Sequence, residues 1–238
     1  PDWTSEVPEN LARQGRNFLA SMGIYVFSKG VLSRLLAENP GMDFGKEIIP
    51  EAIGKSKVLS YPFDSYWTDI GTIASFFEAN ISLTDNIPLF NLFGEPVFTR
   101  PRMLPPSKVS GSTLNNALLA DGCIILSDKV EQSVIGVRSR IGRGTVIKRT
   151  YMMGSDYYED LSTVVEKTNS QQPPPIGVGE RCYIENAILD KNCRIGNDVR
   201  IVGGVHLGDE DSEHYTICDG IVVVKKNAVI PNGTVIGR

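Results

Sequence analysis

The sequence predicts a two-part molecule, an α/β segment followed by a left-handed parallel β-helix. Three observations carry that expectation. In the rear half an aliphatic residue recurs every six positions, often followed by Gly. The fourth residue beyond each aliphatic is small. The first 90 residues instead alternate short apolar runs with stretches of helical periodicity.

In the front segment, residues 21–27 form an apolar run with β-branched and aromatic members, bounded by Ser28 and Gly30, and read as a buried strand. Residues 31–38 place apolar side chains at 31, 32, 35 and 36, which predicts a helix ended by Asn39-Pro40-Gly41. A second short helix is expected over 46–53 with Pro50 at a break or first turn, and another strand over 58–63. From Thr72 the spacing of Ile73, Phe76, Phe77, Asn80 and Ile81 predicts an amphipathic helix. Together these elements form the tail of an α/β sheet domain over 1–90. Residues 91–111 read as an extended connector, because Pro96, Pro101, Pro105 and Pro106, preceded by Pro88, break any helix.

The β-helix is expected over 112–238. Its series are Ile135, Ile141, Ile147 and Met153, then Leu189, Ile195 and Ile201, then Val224, Ile230 and Ile236. A flat strand of about five or six residues followed by a sharp corner produces this period, and three such sides close one triangular turn. Cys123, Ser139, Thr145, Cys193, Val199, Ala228 and Thr234 are the small inward residues, with Thr150 one place early. A bulky side chain there would overpack the prism at a cost of roughly 1–3 kcal/mol. Residues 155–175 and 203–219 interrupt the repeat and read as loops pushed out from its corners.

The 238 residues, 41% apolar and 22% charged with a net charge of −4, suit a globular protein with real cores. No stretch reaches the ~20 apolar residues of a membrane-spanning helix. No basic stripe invites nucleic acid. The four cysteines make no C-x-x-C pair or zinc-finger spacing, which predicts buried, reduced thiols. The opening Pro1-Asp2-Trp3-Thr4 reads as a chain cut from something longer.

Four places could carry chemistry. In Tyr66-Trp67-Thr68-Asp69-Ile70-Gly71-Thr72, Asp69 could hold Mg²⁺ against a substrate phosphate, with Trp67 as a flat wall for a sugar. Equally, Asp69 or Thr72 could be a plain helix cap. In the motif running from Leu19 and Ala20 to Tyr25, Ser21 could bond a sugar hydroxyl or satisfy a turn, and Asp43 could cap the following helix or line a pocket. Arg102, Lys191 and Lys226 flank turns and could bind a phosphorylated small molecule, or be ordinary surface cations. His206 and His214 sit in or beside the second interruption, as does the acidic run 209–213, and these read as solvated loop residues.

Six ordered motifs extend the reading. They are 20–27, Asp43-Phe44-Gly45-Lys46, 66–72, Arg102-Met103-Leu104-Pro105-Pro106-Ser107-Lys108, Met153-Gly154-Ser155-Asp156-Tyr157-Tyr158, and Ile188-Leu189-Asp190-Lys191-Asn192. In this order they closely resemble glucose-1-phosphate adenylyltransferase, also called ADP-glucose pyrophosphorylase. The resemblance implies a nucleotidyltransferase Rossmann-like sheet domain ahead of the β-helix. It implies transfer of an adenylyl group from ATP to glucose 1-phosphate, giving ADP-glucose and pyrophosphate with Mg²⁺, for glycogen or starch synthesis. Ser21, Asp43 and Trp67 would then shape the sugar pocket, with Asp69 as catalytic, metal- and sugar-binding residue. Lys191, Lys226 and, more weakly, Arg102 would bind phosphorylated effectors at an allosteric site.

It further implies a homo- or hetero-tetramer in a bacterial cytoplasm or a plastid stroma, with no nucleic-acid or membrane partner. The family's Gly-rich nucleotide loop would lie ahead of Pro1, so this polypeptide is expected to be the C-terminal portion and inactive by itself. Two other readings stay open, a non-catalytic regulatory or assembly subunit and a hexapeptide acyltransferase using a coil histidine as base.

Overall fold

The computed structural model describes residue 13 and residues 21–94, 98–169 and 173–237. Two compact units divide at Ser65 and Tyr66. Among the described residues no helix is long and apolar enough to cross a membrane.

In the first unit, helix α1 spans Lys29–Glu38 and turns Leu35 inward. Its end is closed by the Asn39 N–H donating to Leu35 O, after which the Gly41 N–H donates to the Asn39 side chain at 2.7 Å. A π-helical turn over Phe44–Ile48 runs into helix α2, Ile49–Lys55, whose first turn holds Pro50 where its missing N–H costs nothing. Ile48 and Ala52 meet Leu35 in a small core, with Phe27 and Val31 against it. The strands expected over 21–27 and 58–63 do not form; both segments run without regular structure. Val26 is 97% exposed and Tyr61 88%. β-Propensity reports fit to a pleated surface with neighbours, and among the described residues of this unit no ladder partner meets either segment.

The second unit opens with helix α3, Ile73–Ile81. Thr72 and Ser75 cap it reciprocally, each side chain taking the other's backbone N–H. Phe77 and Ile81 bury against Ile188 and Ile221 on the outside of the coil that follows. Phe76 meets the Tyr151 ring edge-on at 5.3 Å, and Arg149 pairs with Glu78 while lying 5.3 Å over the Phe77 ring.

That coil is a three-sided parallel prism. One side stacks the two-residue strands Lys108–Val109, Ile124–Ile125, Arg140–Ile141, Gly177–Val178, Arg194–Ile195 and Val229–Ile230, all parallel. The other two sides come from longer strands that bend. Thr113–Leu119, Lys129–Ile135, Val146–Met152 and Tyr183–Leu189 pair in parallel register. Each turns the corner at one left-handed residue, Asn116 (φ 49°), Gln132 (φ 44°), Arg149 (φ 38°) or Asn186 (φ 54°). Ahead of the corner, Val130, Ile147 and Ile184 point inward; beyond it, Ile135, Met152 and Leu189 do. Each fully buried aliphatic side chain contributes about 1.5–3 kcal/mol relative to exposure, so the stacked interior dominates the stability of this unit.

The small inward residues fall where the spacing places them. Cys123, Ser139, Thr145, Thr150, Cys193, Val199 and Ala228 are buried, and Thr234 on the last rung is half-buried. One register differs. Met152 rather than Met153 enters the prism, 4% exposed, and Met153 packs outward toward the α3 cluster. The left-handed corner at Arg149 shortens the side from Ile147 by one residue, which turns the next residue out. The interruptions also carry structure. The first holds helix α4, Leu161–Asn169. The second holds a hairpin, Glu210–Asp211 with Tyr215–Cys218, that pairs antiparallel onto Ile221–Val224. Its acidic run is partly engaged, since Glu210 accepts from the Tyr215 hydroxyl at 2.7 Å and Asp211 from Lys225 Nζ at 2.7 Å.

Cys123, Cys182 and Cys193 are buried free thiols, and Cys218 lies half-buried on the hairpin. Burial pushes the Cys193 thiol up to about 12, which keeps it protonated and unreactive.

Candidate functional site

The first unit positions Ser21 and Asp43 on one aromatic patch. Ser21 Oγ lies 3.2 Å from the Tyr25 hydroxyl and accepts the Gly23 N–H at 3.2 Å. The Tyr25 ring stacks on Phe44, next in sequence to Asp43, with centroids 6.3 Å apart. Asp43 Oδ1 accepts the Gly45 and Lys46 N–H groups at 2.8 and 2.9 Å and so caps the turn. Both residues are exposed. Leu19 and Ala20 of the Ser21 motif lie outside the described residues.

In the second unit, Trp67 and Asp69 are exposed on the extended approach to α3. Asp69 Oδ1 accepts the Gly71 N–H at 2.7 Å, an Asx turn that aims the chain into the helix. A Cβ at Gly71 would stand 3.0 Å from that oxygen, so glycine allows the turn to close this tightly. Thr72, not Asp69, is the helix cap. Among the described residues no three His, Cys, Asp or Glu side chains gather as a metal cage. A Mg²⁺ held by one or two carboxylates together with substrate phosphates needs no such cage, and Asp69 fits that role as a single carboxylate.

The coil brings two of the candidate cations together. Lys191 and Lys226 occupy the same corner on successive rungs, the Asn227 N–H donating to Lys191 O at 2.9 Å. The left-handed Asn192 and Asn227 (φ 61° each) stack there, Asn192 Nδ2 donating to Asn227 Oδ1 at 3.2 Å. A third residue completes the corner. Asp156, at the start of the first interruption, accepts from Lys191 Nζ at 2.8 Å and from Asn192 Nδ2 at 3.1 Å. Its own N–H donates to Asn192 Oδ1 at 2.9 Å. The Lys191 and Asn192 hydrogen bonds hold the Asp156 carboxyl below its ordinary range, with Lys226 adding to the positive field. Lys191-Asn192 and Lys226-Asn227 are like dipeptides on successive rungs, 35 residues apart because the second interruption lies between them. Nothing local pointed to Asp156.

Arg102 is exposed on the connector, two residues ahead of Leu104, which lies against Gly122. His206 and His214 both belong to the second interruption and not to a coil side, His206 exposed and His214 half-buried.

Residues 6–86, ahead of the parallel β-helix, match the nucleotidyl transferase family, and this match makes the chain a nucleotidyltransferase by class. Residues 102–235 match the GLGC left-handed parallel beta-helix domain, and the chain belongs to that family. The two domains in this order are the pair characteristic of glucose-1-phosphate adenylyltransferase. The nucleotidyl transferase match runs to residue 86 and so includes α3, which packs on the coil.

Proposed function

We propose that this chain serves the synthesis of ADP-glucose, a phosphate oxygen of glucose 1-phosphate attacking the α-phosphorus of ATP while the bond to the β-phosphate breaks and pyrophosphate leaves. The observation that carries the reading is the pairing of the two family matches in one chain. Mg²⁺, when bound, would neutralise charge on the phosphate oxygens during transfer. Asp69 would hold that ion with its carboxylate and orient the sugar phosphate. Trp67 would present a flat apolar wall to the glucose ring, and Ser21 and Asp43 would hydrogen-bond its hydroxyls. Lys191 and Lys226, with Arg102 contributing, would form an allosteric site for phosphorylated metabolites. In the same proposal the protein works as a tetramer for glycogen or starch synthesis, in a bacterial cytoplasm or a plastid stroma.

The test is pyrophosphate release from ATP and glucose 1-phosphate by the full natural polypeptide. Asp69→Asn should lower turnover on the order of 100-fold or more while leaving the melting temperature nearly unchanged, since a removed charge-stabilising group costs that much. Undiminished turnover in that variant would remove Asp69 from the reaction.

A second reading, a regulatory or assembly subunit without catalysis, is favoured by one observation. Ser21, Asp43 and Asp69 each already serve a local turn or cap. Absence of pyrophosphate release from the full polypeptide alone, with enhancement of a partner subunit's rate, would select it. An acyltransferase finds no support in the histidines, since both sit in the hairpin interruption.

A further inference from the structure

The first interruption leaves the coil at the corner that holds the two lysines. Gly154 (φ 84°) makes the exit, and a Cβ there would strike Val137 O at 2.2 Å. Ser155 is buried and its N–H donates to Val137 O at 2.8 Å, so the backbone is fixed up to the point where Asp156 begins. Asp156 then turns its carboxylate back onto Lys191 and Asn192. The segment is held a second time farther along. The buried Glu159 carboxylate receives the Ile176 N–H at 2.7 Å, Arg194 at 2.8 Å and Lys167 of α4. The Tyr158 hydroxyl donates to Gly122 O at 2.9 Å, with Arg138 over its ring.

These two anchors differ in kind. Glu159 is desolvated and has three donors, whereas the Asp156–Lys191 pair stands 45% and 40% exposed. An exposed ion pair of this sort contributes little to stability and is readily exchanged for a stronger anion. Its geometry is also that of an anion site: an ammonium and an amide N–H grip two carboxylate oxygens, with the uncommitted ammonium of Lys226 one rung away. Among the described residues no hydrogen bond or ion pair ties that ammonium down. A phosphate brings more charge and a third oxygen, enough to engage both lysines where a carboxylate engages one.

We propose that Asp156 is an internal competitor for the Lys191–Lys226 corner, and that a phosphorylated effector binds by displacing its carboxylate and freeing residues 156 and 157 from the coil. The inference rests on the effector reading above and adds how that site is kept closed. Glu159 keeps α4 attached throughout, so the change is confined to the start of the segment.

The experiment titrates the full chain with inorganic phosphate and with 3-phosphoglycerate at low ionic strength, using calorimetry, with hydrogen exchange followed over residues 156 and 157. Asp156→Asn keeps the shape and removes the competing charge, and it should bind both anions about tenfold more tightly than the wild type. Glu166→Gln makes the same charge change on the exposed face of α4 and should bind like the wild type. Exchange over 156 and 157 should rise on anion binding in the wild type and start high in Asp156→Asn. Binding that vanishes in Lys191→Ala yet is no tighter in Asp156→Asn overturns the competitor and leaves the effector site standing. Failure of Asp156→Asn itself to bind either anion through Lys191 overturns both.

Discussion

The coil and the first unit obey different rules. In the coil, Ile141 pairs beside Ile125 and Val178, and each inward residue sits on a near-copy of itself one rung away. Every strand therefore carries its partner's pattern in its own sequence, and reading one rung predicts the next. In the first unit, residues 21–27 have equal strand propensity, yet Val26 stands in solvent. Propensity becomes a strand only where another strand supplies the ladder. What this difference teaches is that a solenoid is predictable because its long-range contacts repeat, and not because its residues have stronger preferences.

The comparison can be broken by truncating one aliphatic side chain in each region. Ile147→Ala, in a fully buried site, should lower unfolding free energy by roughly 2–5 kcal/mol in urea titrations. Val26→Ala should stay within about 0.5 kcal/mol. Equal losses would mean that the first-unit segment is packed after all. A smaller effect sharpens the account of the prism. Ser139→Leu adds volume at a narrow buried position where Oγ now donates to Gly136 O at 2.7 Å. It should cost roughly 1–3 kcal/mol. An indifferent Ser139→Leu would mean that the interior is wider than its side chains suggest.

The smallest effect concerns how an interruption is fastened to the coil. Burial would raise the Glu159 carboxyl, but Lys167, the Ile176 N–H and Arg194 outweigh it and hold it below the ordinary range. A carboxyl lowered on folding adds stability that is complete above its unfolded value, about 4.3, and is lost as pH falls through the folded one. Glu159→Gln should therefore be less stable than wild type at pH 7, and the gap should close in acid below pH 4. A gap that persists unchanged in strong acid would show that shape, not charge, is what Glu159 supplies.

Much of the candidate site was legible, but unevenly. Thr72-Ile73 announced a helix start, and the structure makes Thr72 the cap and Asp69 the turn before it. Lys191 and Lys226 could be paired because each precedes an Asn at a coil corner. Asp156 could not, since it lies in an irregular segment that shares no repeat pattern with its partners Lys191 and Asn192. The helix in that segment has little periodicity to read, Val164 being the one buried side chain among its described residues.

By itself, then, the sequence determined the parallel coil, its small interior residues and the helices α1 to α3, because each rests on a pattern carried within a few residues or repeated along the chain. Tertiary structure alone decided that Met152 and not Met153 turns inward, that residues 21–27 remain unpaired, and that a carboxylate from an interruption closes the lysine corner. Those outcomes depend on corner geometry and on partners far off in the chain, and side-chain chemistry read in order holds no record of either.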